Sequence, residues 1–408
     1  MTEAPDIAAQ FEKHLNSPKQ TWLLGAGVSF GANIPLMTPL TTRVLDSTES
    51  QLYPNDAIAL SALDFLKTDV SDEANIEDIL THLGDCISIA ERSRNDSIKI
   101  GEYVFDRSKL VEIHLALLDK IAETVRWGYK PPVLDEAGEI VHPESIGIRG
   151  DPIVDIKGHA DFIAAVFGSN RAGVEYLRTP VEFFTTNYDT LLEDALALNQ
   201  ITYRDGFIGG GVGFWRIENY REGERTRAIV TKLHGSIDWY RPGIYPSPLL
   251  RIRDDNLYPK REGGAVMIYP QATKYLNTQR DPFAELFQRF RHRLAVGTDH
   301  VLLICGYSFG DEHINAEIEQ AMASSKSQLT ILAFSDEPAN KLPKTLSEWR
   351  RNRSWRKRVF VASPKGLYQG DEGPHFGIEN QPRDWWTFTG ATRLFSSGLP
   401  ADVQEAIQ

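Results

Sequence analysis

Thr21-Trp22-Leu23-Leu24-Gly25-Ala26-Gly27-Val28-Ser29 is the stretch that decides the fold. A short apolar strand runs straight into two glycines and a serine, which is how a nucleotide-binding βα unit begins. Glycines at that turn let the backbone come close to a pyrophosphate, and backbone N–H groups can then cradle its oxygens. Alone the pattern is weak. The third glycine of the usual dinucleotide fingerprint is missing from its place, since Gly31 falls one residue late. Ile34-Pro35 follows, and the next helix is predicted from near Pro39 through Leu45.

Working outward, further apolar segments read as strands of the same sheet. Val181–Phe184, Ala228–Leu233, Val266–Tyr269, Val301–Cys305 and Leu329–Phe334 are the candidates. The last two are apolar at nearly every position, as expected for strands covered on both faces. Helical stretches lie between several of them, at Asp189–Leu198, Pro282–Ala295 and Glu312–Ala323. The pattern predicts an α/β chain with a Rossmann-like, doubly wound parallel sheet. It is interrupted by a mostly helical insertion. There Ile76, Ile79, Leu80 and Leu83 recur at helical spacing behind Asn75 as N-cap. A second helix is expected over Arg107–Val125, then a Pro-, Gly- and Asp-rich loop or hairpin over Lys130–Gly158, and a helix over His159–Phe167. The expected partition is a core from residues 1–45 and 176–340, an insertion over 46–175, and a C-terminal extension over 341–408. Beyond Ser363 that extension reads as loop plus a short terminal helix.

Ligands bind such sheets beyond the carboxyl ends of the strands. Four strand ends carry unusual chemistry. The first is the glycine turn. The second is Thr185-Thr186-Asn187-Tyr188-Asp189. Asp189 there suits a helix N-cap, while the neutral amide of Asn187 can hold a hydroxyl or water without a counter-charge. The third is Lys232-Leu233-His234-Gly235-Ser236, whose imidazole would be a base titrating near neutrality. The fourth is Cys305-Gly306-Tyr307-Ser308-Phe309-Gly310-Asp311. Glycine and serine there suit a phosphate or ribose, and Asp311 suits an N-cap.

The four together, in this order, resemble the catalytic domain of the sirtuins. That family has Gly-Ala-Gly-x-Ser with Ile-Pro, a Thr-x-Asn-x-Asp strand end, His-Gly, and a Gly-x-Ser strand end. The resemblance spans about Thr21 to Phe334 and is closest to the sirtuin-like NAD hydrolases of bacterial antiphage defence. It implies a sirtuin-type NAD-binding core, with NAD as substrate and no metal, and release of nicotinamide and ADP-ribose. It implies catalytic roles for Asn187, His234 and Asp189. It places NAD against Gly25, Ala26, Gly27, Ser29, Pro35, Thr186, Gly306, Tyr307, Ser308, Phe309 and Asp311. A large homo-oligomer and a separately encoded HerA-like ATPase or helicase as partner are implied likewise. The competing readings are a non-catalytic NAD or ADP-ribose sensor, and a protein deacylase or ADP-ribosyltransferase. Two departures count against deacylation. Leu36-Met37-Thr38 stands where deacylases have Asp-Phe-Arg after Ile-Pro, and no zinc ribbon of Cys-x-x-Cys pairs follows His234.

Composition sets the remaining bounds. The chain has 408 residues, 41% hydrophobic and 25% charged, which is ordinary for a globular protein. Two cysteines, Cys86 and Cys305, exclude a disulfide scaffold and a four-cysteine zinc site. A net charge of −12 argues against a dedicated nucleic-acid binder. No apolar run is long enough to span a membrane and the N-terminus lacks a signal-peptide pattern, so a cytoplasmic location is expected. Gly209–Gly213 reads as a flexible loop, and the basic run Arg350–Arg358 as a solvated helix face or partner patch. Trp385-Trp386 predicts an anchored C-terminus.

Overall fold

A computed structural model describes residues 4–407 except 53–55, 101–102, 136, 169–178, 222, 224, 242–247, 254–281, 296–299, 325–327 and 379–380. Its centre is a nine-stranded sheet. In chain order the strands are β1 (Gln20–Leu24), β2 (Val181–Thr185), β3 (Tyr203–Arg204), β4 (Ala228–Lys232) and β5 (Val301–Cys305). They continue with β6 (Thr330–Phe334), β7 (Val359–Ser363), β8 (Gly366–Gln369) and β9 (Glu372–His375). Across the sheet the order is β9-β8-β7-β6-β5-β1-β2-β4-β3. From β3 to β7 every neighbouring pair is parallel, whereas β8 and β9 turn back antiparallel. The chain builds outward from β1 in both directions, so the order reverses between β1 and β5. In a doubly wound sheet that switch point opens the ligand crevice, and the predicted α/β Rossmann-like architecture is what the structure has.

The apolar strands split their side chains between two faces. Trp22 and Leu24 enter one cluster with Phe162, Phe183, Leu303 and Trp385, while Leu23 points into the other with Phe184, Phe290, Ile304 and Trp349. That alternation is the period of two of an extended chain. Helices Ala4–Leu15, Lys157–Gly168, Leu191–Leu198 and Phe388–Ser397 cover the first face, and Phe283–Ala295, Glu312–Ala323 and Lys344–Arg351 the second.

Helices Met37–Leu52, Ala57–Asp69, Ile76–Arg92 and Arg107–Trp127 share a third cluster. Helix Ile76–Arg92 starts at a full capping box, with Asn75 capping Glu77 N–H and Asp78 reaching back to Asn75 N–H at 2.9 Å. This cluster also takes in Leu191 and Ile237, so the helices pack onto the turns that follow β2 and β4. No described helix is long and apolar enough to cross a membrane.

Three elements differ from expectation or fall outside view. The C-terminal part is not mainly loop. It supplies β7, β8 and β9, then helices Phe388–Ser397 and Ala401–Ile407. Val359-Phe360-Val361-Ala362 is an apolar run fit for a central strand, directly after the basic run Arg350–Arg358. Two of those arginines are structural. Arg350 lies 4.5 Å over the Tyr368 ring, and Arg358 donates to Leu329 O at 3.0 Å and Met322 O at 3.2 Å. Gly209–Gly213 forms a hairpin, pairing Phe207–Gly209 with Val212–Trp215, where a Cβ on Gly209 would meet Val212 O at 2.4 Å. The strand expected at Val266–Tyr269 lies outside the described residues. Trp385 is anchored, 2% exposed and donating from Nε1 to Ser363 O at 2.6 Å.

Candidate functional site

The crevice floor is two glycine turns in contact. Gly25 N–H donates to Cys305 O at 3.0 Å and Gly27 N–H to Gly306 O at 2.9 Å. A Cβ on Gly25 would sit 2.5 Å from Gly306 O, and one on Gly306 would sit 2.5 Å from Val28 N. Gly306 also has a φ of 67°, in the region that favours glycine. What these glycines supply is close approach of two backbones. The N–H groups of Gly25 and Gly27, expected to face a pyrophosphate, are spent on the neighbouring strand end.

Beside this floor lies a polar chain. Asn187 Nδ2 donates to Ser29 Oγ at 2.9 Å, and Ser29 Oγ donates to Asp189 Oδ2 at 2.8 Å. Asp189 Oδ1 accepts from Leu191 N–H at 3.0 Å, at the start of helix Leu191–Leu198, whose N-cap position falls one residue later than expected, at Thr190. The chain fixes how Asn187 faces. The one proton on Ser29 Oγ goes to the carboxylate, so that oxygen can only accept from Asn187 and must meet its nitrogen. The amide oxygen, Asn187 Oδ1, is therefore turned elsewhere; it is buried and has no hydrogen-bond partner among the described residues. Such an oxygen costs free energy unless something fills the gap.

His234 comes to the same edge through register. Thr185 and Lys232 are paired in the parallel ladder, and Asn187 and His234 each lie two residues further along. They are 8% and 6% exposed. His234 Nε2 lies 2.9 Å from Asp311 Oδ2. Asp311 also caps helix Glu312–Ala323 through Oδ1, accepting from His313 N–H at 3.0 Å and Ile314 N–H at 3.4 Å.

Of the other residues expected here, Thr186 N–H donates to Leu24 O at 3.1 Å beside the glycine turn, and Pro35 is buried. Ser308 is exposed at the turn after β5. The rings of Tyr307 and Phe309 point away, into the apolar cluster with Trp349. Tyr307 Oη lies 3.1 Å from both Asp311 O and Asn315 Oδ1, and burial pushes its phenol well up. Any part these two have in binding falls to their backbone.

The sequence reading missed the ions beneath the turns. Lys232, with its side chain 3% exposed, donates to Asp189 O and lies 3.6 Å from Glu193 Oε1. Burial pushes Glu193 up to about 7, against the pull of Lys232 and Arg253. Arg253 joins the two loops, 3.1 Å from Asp194 Oδ1 on one side and 3.1 Å from Asp238 Oδ2 on the other. Tyr188 Oη donates to Glu77 Oε1 at 3.1 Å, and Arg126 donates to Ile237 O at 3.3 Å, so the helical segment holds both turns too. One signal was available in the sequence, namely a lysine in an apolar strand, which needs a buried partner. Among the described residues no group of histidine, cysteine and acidic side chains is arranged to hold a metal.

Residues 181–356, less than half of the chain, match the family model of a SIR2-like domain. That span contains the Asn187, His234 and Gly306 motifs; the glycine turn at Gly25 lies before it. No curated protein matches the chain. Solved structures that resemble it include a Sir2 homologue in complex with NAD, at 12% identity over 81% of this chain and 84% of that one, with a TM-score of 0.33. Another is a Sir2 homologue variant, asparagine replacing histidine, in complex with ADP-ribose. It is 13% identical over 81% of this chain and 86% of that one, with a TM-score of 0.30.

Proposed function

We propose that this chain hydrolyses NAD to nicotinamide and ADP-ribose. The observation that carries the reading is the buried, unpartnered Asn187 Oδ1, held in place by Ser29 beside the switch point, with His234 on the adjoining strand end. An amide oxygen kept there fits a ribose hydroxyl or a water, either of which would donate to it.

Cleaving the nicotinamide–ribose bond asks less than ordinary glycoside hydrolysis. Nicotinamide leaves a cationic pyridinium as a neutral molecule, taking the bonding electron pair, so no general acid is needed. The paired carboxylates of most glycosidases are replaced by one base and one orienting group. Water then bonds through its oxygen to ribose C1′, and its proton passes to His234, directly or through the ribose hydroxyls. Asn187 orients the water or hydroxyl. Asp189 steadies Asn187 through Ser29. Gly25, Ala26 and Gly27 give the pyrophosphate a floor with no side chain larger than a methyl, next to Thr186 and Pro35, and Gly306 and Ser308 face the adenosine half. Helices Met37–Leu52, Ala57–Asp69, Ile76–Arg92 and Arg107–Trp127 form a module resting on both catalytic turns, whereas Lys157–Gly168 covers the sheet. The antiphage setting, the homo-oligomer and the HerA-like ATPase partner rest on the four-motif resemblance.

The test is to incubate the protein with NAD and follow nicotinamide. Asn187→Ala and His234→Ala, each with unchanged unfolding, are expected to lose about 100-fold or more of the turnover. Unchanged turnover in both variants defeats the assignment. Tight NAD binding with no nicotinamide released would make the protein a sensor, and deacylated peptide products would make it a deacylase. For the partner, light scattering of the chain alone and with a HerA-like ATPase is expected to show an oligomer that the ATPase enlarges.

A further inference from the structure

We infer that Asp311 is a positioning residue for His234, holding the imidazole in the tautomer that carries its proton on Nε2; the inference rests on the NAD-hydrolase reading. Three observations carry it. His234 Nε2 and Asp311 Oδ2 are 2.9 Å apart, with the two side chains 7% and 8% exposed, so little water screens them. Their strand ends, β4 and β5, are separated by β2 and β1, roughly 14 Å across the sheet. A contact made over that span bridges the ends of the strands that carry Asn187 and the glycine turn. Finally, the Asp311 carboxylate divides its work. Oδ1 takes the helix N–H groups of His313 and Ile314, and this leaves Oδ2 to face the ring.

An ionised carboxylate oxygen accepts and cannot donate, so it selects the ring nitrogen that bears hydrogen. The contact is short but is not aligned as a hydrogen bond. Contacts of this kind commonly tighten in a substrate complex. Serine proteases show what the arrangement is worth: exchanging the orienting carboxylate for an amide keeps the geometry, reverses the tautomer and slows the reaction by about 10⁴. The same logic applies here with a built-in constraint. In Asp311→Asn the amide oxygen must stay on the helix cap, because only it can accept the N–H groups. The NH₂ group then faces Nε2, which has to become an acceptor.

The experiment uses the full chain labelled with ¹⁵N-histidine, with the His234 signals assigned by their loss in His234→Gln. The unsubstituted protein is expected to show Nε2 protonated, and Asp311→Asn to show Nδ1 protonated. Asp311→Ser, which keeps a capping oxygen but is too short to reach the ring, should show a mixture of both. In steady-state NAD hydrolysis both variants are expected to lose roughly 100-fold in kcat at nearly constant KM. The same tautomer signature in all three proteins overturns the inference. So does a rise in KM with kcat kept, which would put Asp311 on the substrate itself. The tautomer readout needs no turnover. A reversal in a protein that never cleaves NAD would therefore remove the hydrolase reading and leave the His234–Asp311 assignment standing.

Discussion

The two sides of the crevice are held by opposite means. On the β1 and β5 side, Gly25, Gly27 and Gly306 bring two backbones together with no room for a side chain. On the β2 and β4 side, the turns are joined by ion pairs, the buried Lys232 with Glu193 and the half-buried Arg253 with Asp194 and Asp238. The first side is fixed by shape and is indifferent to pH. The second is fixed by charge, and charge in an apolar surrounding is stable only while both partners are present. Asn187 and His234 sit on the two turns that the second device joins.

The largest test of the comparison removes one partner. Lys232→Met leaves Glu193 buried beside a side chain that cannot answer its charge, and at pH 8, where Glu193 is ionised, is expected to cost about 3–5 kcal/mol in denaturant unfolding. The double change with Glu193→Gln should recover much of that loss. A cost for Lys232→Met below about 1 kcal/mol would show that the pair is not a structural tie.

pH separates the two sides next. Glu193 is pushed up to about 7 by burial, opposed by Lys232 and Arg253 and reinforced by Asp238 and Asp194. Its folded value lies above the ordinary 4.5, so the folded chain keeps a proton that the unfolded chain releases. The stability this group contributes is full below pH 4.5 and is lost as pH rises through 7. Between pH 4.5 and 8 the wild-type protein should lose on the order of 3 kcal/mol relative to Glu193→Gln. Parallel pH profiles for the two proteins would remove the charged-side account.

On the other side, Gly306→Ala must push a Cβ against Val28 N and adopt a φ of 67°. The expected cost is about 2 kcal/mol, with no pH dependence. The smallest effect is Tyr188→Phe. It deletes the hydrogen bond to Glu77 that links the helical segment to the Asn187 turn, and should cost about 1 kcal/mol. Its NAD turnover should fall less than that of Asn187→Ala.

The same contrast explains what the sequence disclosed. Shape leaves a local trace: Gly25 and Gly27 directly after Trp22-Leu23-Leu24 announce both a strand end and a close approach. The strands β1, β2, β4, β5 and β6 were legible because full burial makes each mostly apolar, wholly so in β5. Ion pairing leaves no such trace. Lys232 pairs with Glu193 on another element, and Arg253 meets Asp194 across 59 residues. Nothing local to either residue names its partner. His234 and Asp311 were each legible as strand-end residues, yet their meeting depends on the strand order. The hairpin of β8 and β9 was obscured for a related reason. Its glycines, which punctuate loops elsewhere, here sit inside the strands, with Gly366 and Gly373 both at positive φ.

The contact between the glycine turns has a consequence for how this chain can change over time. Gly25 and Gly306 compete for the same few cubic ångströms, since the Cβ of either would be driven into the turn that holds the other. A side chain gained at one therefore cannot be balanced by a side chain gained at the other. Once one substitution has forced the turns apart, the second meets less resistance, and the double variant should lose less than the two single losses added together. The two positions behave as a single locus, free to vary only if the sheet centre is rebuilt.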